Sequence, residues 1–229
     1  MRRASKTLVT TDREANVLRP PEGGATAETM CNGVDAEFFD PEIITAPAGS
    51  GCPVVFVGAM NYYPNVDAVC WFAANVFPEW KRRDPTASLC VVGRNPPARI
   101  RRLGRTDGIR VVGEVDDVRP FLASARAVVA PLRIARGIQN KVLEALAMGK
   151  SVLGSPQVAD CFGAEPPEGF SRCGSAEEYL EALAKLRAAA PAWDPGIRAA
   201  ALRRFSWEAN LQTLHAAIEP LANRHAATR

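Results

Sequence analysis

Basic and acidic residues meet at the start of one predicted helix, in the stretch GIQNKVLEALAMGK at residues 137–150. Lys141 and Glu144 lie near the first turn of this helix, and Arg136 and Gly137 precede it. A helix N-terminus offers unpaired N–H groups and a partial positive charge, so it binds phosphate. Gly137 leaves room for close approach, Lys141 and Arg136 add charge, and a carboxylate at Glu144 accepts hydrogen bonds from sugar hydroxyls. We therefore predict a nucleoside diphosphate site, with Glu144 on the ribose.

The same spacing also allows a plain ion pair between Lys141 and Glu144, which are three residues apart on the helix. Such a pair contributes only a few tenths of a kcal/mol. Apolar residues surround the two charges on the helix, namely Val142, Leu143, Ala145, Leu146 and Ala147. A surface ion pair has no need of those surroundings, so the ligand site is the hypothesis that we carry forward.

The elements that position this helix alternate between apolar strands and helices. Strands are predicted at 54–57, 88–92, 109–113, 126–131 and 151–154, with a sixth at 169–173. Strands that are apolar throughout and alternate with helices indicate an α/β fold with a doubly wound, Rossmann-like parallel sheet. We expect about six strands with helices on both faces, and a long C-terminal helix capped by Ser206.

Ligands of such sheets bind at the carboxyl edge, where strands end and helices begin. Gly58, Gly93 and Gly113 directly follow the first three predicted strands. A tight turn explains each glycine on its own. Their position along one edge of the sheet also fits a crevice that binds a ligand.

Composition narrows the classes of partner. The net charge of +3 is too small to indicate a nucleic-acid partner. Four arginines cluster at 99, 101, 102 and 105, and they form either a solvated helix face or a patch for a membrane surface or an acidic ligand. None of the six cysteines has metal-ligand spacing, so we expect no metal site and a reducing, cytoplasmic location, at most at the inner face of the membrane.

Five motifs occur in an order that resembles the C-terminal half of family 4 glycosyltransferases of the GT-B fold. The motif GIQNKVLEALAMGKSV resembles the donor-site helix, and CNGVDAEFFDP at 31–41 resembles the interdomain linker. The other three are FVGAMNYYPNVDAVCWF at 56–72, GEVDDVRPFLASARAVVAPLR at 113–133 and FSWEANL at 205–211. The form RGIQNKVLEA is similar to exopolysaccharide glycosyltransferases of bacterial exosortase systems.

The resemblance implies a nucleotide-diphosphate-sugar donor, linked to UDP or GDP, that is transferred with retention of configuration and without a metal or other cofactor. It also implies a glycan or lipid-linked acceptor, and it gives no catalytic residue in this chain. Glu144 matches the second glutamate of the family's E-x7-E motif, which holds the ribose. The donor-site residues predicted from spacing and resemblance together are Gly58, Asn61, Arg94, Val115, Arg136, Gly137, Asn140, Lys141, Val142 and Glu144.

Two departures from the family pattern concern charge. Arg136 stands where the family has the first glutamate of E-x7-E, so the sugar contacts of that carboxylate do not carry over. The Arg and Lys that many members carry after the first strand are also absent, because Met60, Asn61 and Asn65 occupy that region. We expect Arg136 and Lys141 to supply the missing positive charge.

The resemblance divides the chain into three parts. Residues 1–50 are predicted to be a remnant of the acceptor domain with the linker, 51–205 the donor domain, and 206–229 the closing helix and tail. Such a chain would bind the donor but transfer no sugar alone.

The apolar stripe of Leu211, Leu214, Ile218 and Leu221 either covers the donor domain or mediates a homodimer. The alternatives are a nucleotide-sugar-binding module without catalysis, which Arg136 favours, and a dinucleotide enzyme, which the lack of GxGxxG disfavours.

Overall fold

A pair of parallel strands begins the chain in the computed structural model, which describes residues 6–18, 26–44, 53–187 and 193–226. Strand β1 (Lys6–Val9) pairs with β2 (Thr26–Thr29), and helix α1 (Asp12–Val17) lies between them. The Thr11 side chain caps α1 by accepting a hydrogen bond from the Glu14 N–H. The local sequence pattern of this segment indicates one strand, at 7–10, whereas its described residues form two strands and a helix.

Six further strands form the central sheet. They are β3 (Val54–Val57), β4 (Leu89–Val92), β5 (Ile109–Gly113), β6 (Ala127–Ala130), β7 (Ser151–Gly154) and β8 (Phe170–Arg172). Their spatial order is β5-β4-β3-β6-β7-β8, and every pair is parallel. The predicted doubly wound sheet is confirmed. The chain reverses its direction of winding between β3 and β6, and this switch point is where such sheets open a crevice.

Helices connect the strands and cover the sheet. They are α2 (Tyr63–Asn75), α3 (Phe77–Arg83), α4 (Ala98–Leu103), α5 (Arg119–Ser124), α6 (Asn140–Ala147), α7 (Pro156–Ala159), α8 (Ala176–Arg187), α9 (Pro195–Phe205) and α10 (Trp207–Ala226). Helical periodicity runs through residues 66–82 and indicates one helix, yet the stretch is divided between α2 and α3. Pro78 lies in the first turn of α3, where its missing N–H is tolerated, whereas the interior of a longer helix would exclude it.

The segment 31–41 is fixed to the end of the sheet domain. Val34 forms a parallel bridge with Ser206, which precedes α10. The Arg198 guanidinium of α9 donates hydrogen bonds to three backbone carbonyls, those of Ala36, Phe39 and Ala147. This segment therefore packs as part of the domain and does not extend away from it.

The apolar stripe of the C-terminal helix is more exposed than packing against the donor domain would require. In α10, Leu211 and Ile218 are 41% and 49% exposed, so the predicted packing of the stripe against the donor domain is wrong for these two residues. The side chain of Leu221 lies outside the described residues. In the described part of the chain, no helix is long and apolar enough to cross a membrane.

The cysteines depart from expectation at one position. Cys31, Cys70, Cys161 and Cys173 are free thiols, whereas the buried Cys90 of β4 is disulfide-bonded. The expectation of uniformly reduced cysteines is therefore wrong at Cys90.

Candidate functional site

Three glycines lie side by side at the carboxyl edge of the sheet, as predicted. The Gly58 N–H donates to the Val92 carbonyl at 2.9 Å, and the Gly93 N–H donates to the Gly113 carbonyl at 2.7 Å. A Cβ at Gly93 would overlap the Gly58 carbonyl. Gly93 is therefore required by the close approach of two backbone segments, independently of any ligand.

The loop before α6 leaves the N-terminus of that helix available. Gly137 has φ +69°, a left-handed conformation that glycine adopts without strain. Among the described residues, a Cβ there would meet only Thr10 Oγ1, at 3.6 Å, so the backbone angle and not lack of space calls for glycine. Gln139 occupies the N-cap but makes no side-chain capping bond, because its amide donates to the Gly137 carbonyl at 3.1 Å.

Lys141 joins the two elements that flank the switch point. It extends from α6 toward α2, where its Nζ donates to Asn65 Oδ1 at 2.5 Å. Asn65 is itself fixed, since its Nδ2 donates to the Ala59 carbonyl at 2.9 Å. The ammonium also lies 4.5 Å from the centre of the Phe56 ring, a cation–π contact.

The same ammonium explains the glycine at the end of β3. A Cβ at Gly58 would lie 2.7 Å from both Lys141 Nζ and Asn65 Nδ2. Any larger residue would displace the lysine from its amide partner. Gly58 is therefore required by the positions of Lys141 and Asn65.

Burial shifts the pKa values of Lys141 and Glu144 toward their neutral forms. Desolvation lowers the pKa of Lys141 to about 7, although the charge of Glu144 opposes the shift. Desolvation also raises the pKa of Glu144, with Lys141 opposing. The plain ion pair between the two is not formed, because the ammonium turns to Asn65 instead. Among the described residues the lysine thus has no anionic partner in direct contact, and a bound anion would stabilise its charged form.

The remaining predicted residues fall into two groups. Arg136, Asn61 and Arg94 are exposed, and the Arg94 carbonyl accepts from the Met60 N–H, which ties together the loops after β3 and β4. Asn140 is also exposed, and its Oδ1 accepts from Asn32 Nδ2 at 2.8 Å. Arg136 and Asn140 thus lie at the start of α6, whereas Asn61 and Arg94 lie in the loops after β3 and β4.

Val142 and Val115 contribute differently. The side chain of Val142 is fully buried, and its N–H already donates to the Gln139 carbonyl. Val115 is partly buried against the core after β5. Neither side chain carries a polar atom, so each can offer a ligand only backbone groups or apolar surface.

Sequence reasoning did not include Asn65, Phe56 or Asn32 in the site. Asn65 is 5% exposed, and a buried amide at the start of a mostly apolar helix is the signal that could have identified it. Asp67, two residues after Asn65 on α2, forms an ion pair with Arg133 of the loop before α6. Across residues 6–18, 26–44, 53–187 and 193–226, no group of three or more His, Cys, Asp or Glu side chains is placed to hold a metal ion.

The family model described as glycosyl transferases group 1 matches residues 52–188. The match covers more than half of the chain, which therefore belongs to this family. No curated protein matches the sequence significantly.

Several solved structures of the GT-B class share the fold. Sucrose-phosphate synthase from Thermosynechococcus elongatus has a TM-score of 0.73 at 22% identity, over 96% of this chain and 59% of its own. A glycosyltransferase from Rickettsia africae ESF-5 has a TM-score of 0.73 at 14% identity, over 96% and 64%. Anabaena Alr3699/HepE, solved in complex with UDP and glucose, has a TM-score of 0.68 at 15% identity, over 94% and 63%.

These likenesses confirm the predicted resemblance to GT-B glycosyltransferases. The chain spans only 59 to 64% of the length of these three structures. At such low identities they establish the fold, and the residues of the site have to be argued from their own geometry.

Proposed function

We propose that this chain binds the nucleotide-diphosphate-sugar donor of a retaining glycosyltransferase, with the diphosphate at the mouth of α6. The observation that carries the proposal is the buried ammonium of Lys141, which Asn65 holds at the switch point of the sheet. The uncapped amides of α6 lie at the same place. Together they offer a dipole and a charge to one anion.

The contact with Asn65 also supports the compensation of charge. Many family members carry Arg and Lys after the first strand, in the region where this chain has Met60, Asn61 and Asn65. Here Lys141 enters the same region from the opposite side of the crevice and contacts Asn65. We infer that Lys141 supplies the positive charge that those members carry after the first strand.

Glu144 and Arg136 lie on either side of the helix mouth along the chain. Glu144 is one turn inside α6, which suits a nucleoside whose ribose hydroxyls donate to the carboxylate. Arg136 is exposed before the helix and is available to clamp the diphosphate or contact the sugar. Since Anabaena Alr3699/HepE was solved with UDP and glucose, we take a UDP-linked sugar as the first donor to test, with GDP-linked sugars next.

The wider role remains part of the proposal. We assign the activity to polysaccharide synthesis in the cytoplasm, of the kind associated with exosortase systems, with a glycan or lipid-linked acceptor bound by a further domain. No resident cofactor or metal is needed in this scheme, and the chain alone is expected to transfer no sugar. A homodimer through α10 also stays a prediction.

A second candidate function is a nucleotide-sugar-binding module without catalysis. It is favoured by Arg136, which replaces the carboxylate that the family places against the sugar. Both candidates predict donor binding, so binding alone does not separate them. Sugar transfer by a chain that also carries an acceptor domain would separate them.

Calorimetric titration of the chain with UDP, GDP and NAD tests the proposal. We expect saturable binding of UDP or GDP at one site and none of NAD. Thermal unfolding with each ligand provides a second measurement, because a ligand that binds the folded state raises Tm. Tight binding of NAD, or no binding of either nucleoside diphosphate, would refute the proposed function.

A further inference from the structure

An arginine-rich surface lies outside the donor site, on α4 and the turn that follows it. Residues 94–110 contain six arginines and one aspartate, whereas the whole chain has a net charge of only +3. The rest of the chain is therefore slightly acidic. The positive charge of this protein is concentrated in one short segment.

The fold turns four of these arginines to solvent together. Ile100 is fully buried against the core, and it fixes the inner face of α4. Arg99, Arg101, Arg102 and Arg105 are all exposed. Residues three and four apart are neighbours on a helix surface, so the four guanidinium groups form one patch.

No carboxylate of the described residues forms an ion pair with this patch. Asp107, the one acid in the segment, pairs with Lys81 at 3.0 Å. Asp67, on the neighbouring helix α2, pairs with Arg133. Arg101 donates to the Pro96 carbonyl, a neutral group. The charge of the patch is therefore not neutralised within this part of the fold.

Two exposed tyrosines border the patch at the start of α2. Tyr62 and Tyr63 are 54% and 57% exposed. The Arg99 guanidinium lies over the Tyr63 ring, 5.8 Å from its centre, which joins the aromatic and basic groups into one surface. Tyrosines with an apolar body and a polar tip are enriched where a membrane meets water.

We propose that this surface, defined by Arg99, Arg101, Arg102, Arg105, Tyr62 and Tyr63, docks the protein on an anionic lipid bilayer. Arginines near such a bilayer are attracted by its negative surface potential, and tyrosines settle among the headgroups. The surface adjoins the carboxyl edge of the sheet, because Tyr62 follows Asn61 and α4 follows the loop after β4. Docking would hold the donor site close to the membrane.

Co-sedimentation with vesicles tests this proposal. We expect the chain to sediment with phosphatidylcholine vesicles that contain about one third phosphatidylglycerol, and not with phosphatidylcholine alone. Binding should weaken as salt rises, because exposed charges are screened. Equal binding to both kinds of vesicle, or to neither, would overturn the proposal.

Matched variants separate the patch from charge in general. R99Q/R102Q/R105Q should lower the vesicle partition coefficient by roughly 100-fold, since each arginine near an anionic leaflet contributes about fivefold. R126Q/K185Q/R203Q removes the same charge from exposed positions elsewhere and should bind as the wild type does. An equal loss in both variants would overturn the assignment to this surface.

A tyrosine variant and a competitor distinguish a bilayer from other polyanions. Y62S/Y63S keeps every charge and should lower the vesicle partition coefficient several-fold. If the chain instead binds a single-stranded RNA oligomer more tightly than the vesicles, through the same arginines, the lipid proposal is wrong. Thermal unfolding of each variant verifies that a loss of binding does not come from a loss of the fold.

Discussion

Two desolvated lysines at opposite ends of α6 have different surroundings, one fully buried and the other partly buried. Lys150, at the start of β7, is 1% exposed, and its Nζ donates to the Ala123 carbonyl at 2.8 Å. Lys141, at the start of α6, donates to an amide oxygen of Asn65. Desolvation lowers the pKa of both, to about 8 for Lys150 and about 7 for Lys141.

The difference lies in which helix end each cation faces. Ala123 belongs to the last turn of α5, where the helix dipole favours a positive charge. Lys141 lies in the first turn of its own helix, where the dipole disfavours one. The fold therefore stabilises Lys150 by itself, whereas we propose that an anion from outside the chain stabilises Lys141. Burial alone therefore does not identify a lysine that binds a ligand. The electrostatic potential around its ammonium group, here set by the helix end that it faces, is the better indicator.

The largest expected effect is a loss of stability on replacing Lys150, the lysine that is satisfied within the fold. Lys150→Ala should lower the free energy of unfolding by about 3 kcal/mol or more, because it leaves a cavity and an unsatisfied carbonyl. Urea unfolding measures this change. Lys185→Ala, at an exposed lysine, is the control and should change little. An equally small loss of stability in both variants would show that Lys150 does not stabilise the fold.

Replacing Lys141 at the candidate site is expected to increase stability, in contrast to replacing Lys150. Lys141→Met removes a desolvated charge, so the free energy of unfolding should rise by about 1–3 kcal/mol. Affinity for a nucleoside diphosphate should fall by about 2 kcal/mol, roughly thirtyfold, because a charged hydrogen bond is lost. Urea unfolding and calorimetry on the same sample measure both. A variant that is less stable yet binds normally would contradict the functional assignment of Lys141.

The carboxylate of the cluster provides a further test. Glu144→Ala should weaken nucleotide affinity by about 1–3 kcal/mol, since a hydrogen bond from ribose to a charged group is lost. Glu181→Ala, at an exposed glutamate of α8, is the matched control. Unchanged affinity in a folded Glu144→Ala protein would count against its contact with the ribose.

The smallest expected effect is a dependence of binding on pH. The unliganded Lys141 has a pKa of about 7, and a bound diphosphate raises it, so above pH 7 the complex holds more protons than the free protein. Affinity for UDP-glucose should therefore be greatest near and below pH 7 and fall several-fold as the pH rises. Calorimetry across this range measures it, and Lys141→Met should remove the dependence. If affinity changed with pH equally in the wild type and in Lys141→Met, the pH dependence would have to come from another group.

Most of the sheet could be predicted from the sequence because its strands are short, apolar and separated by strong turn residues. The pattern at 66–82 indicates one helix because its periodicity continues across Val76, whereas Pro78 forces a new helix to start. Strand β2 was missed because TAET has no apolar run, and it exists through pairing with β1. Non-local pairing of this kind leaves little trace in a local pattern.

The site was predictable where its chemistry is local. Gly137, Lys141 and Glu144 lie within eight residues, and helix geometry alone brings them together. The partner of Lys141 is Asn65, 76 residues away, so only the folded sheet reveals the contact. Spacing therefore suggested an ion pair with Glu144, and tertiary structure replaced it with an amide.

The way Arg198 holds the segment before the sheet has a consequence for variation. Its guanidinium contacts main-chain oxygens of Ala36 and Phe39, and every amino acid offers such an oxygen. The side chains at these two positions can therefore change without loss of the two bonds, as long as the path of the backbone persists, whereas Asp40 also pairs with Arg198 through its carboxylate. Arg198 has no such freedom, because a lysine ammonium lacks the planar fork that reaches several acceptors at once.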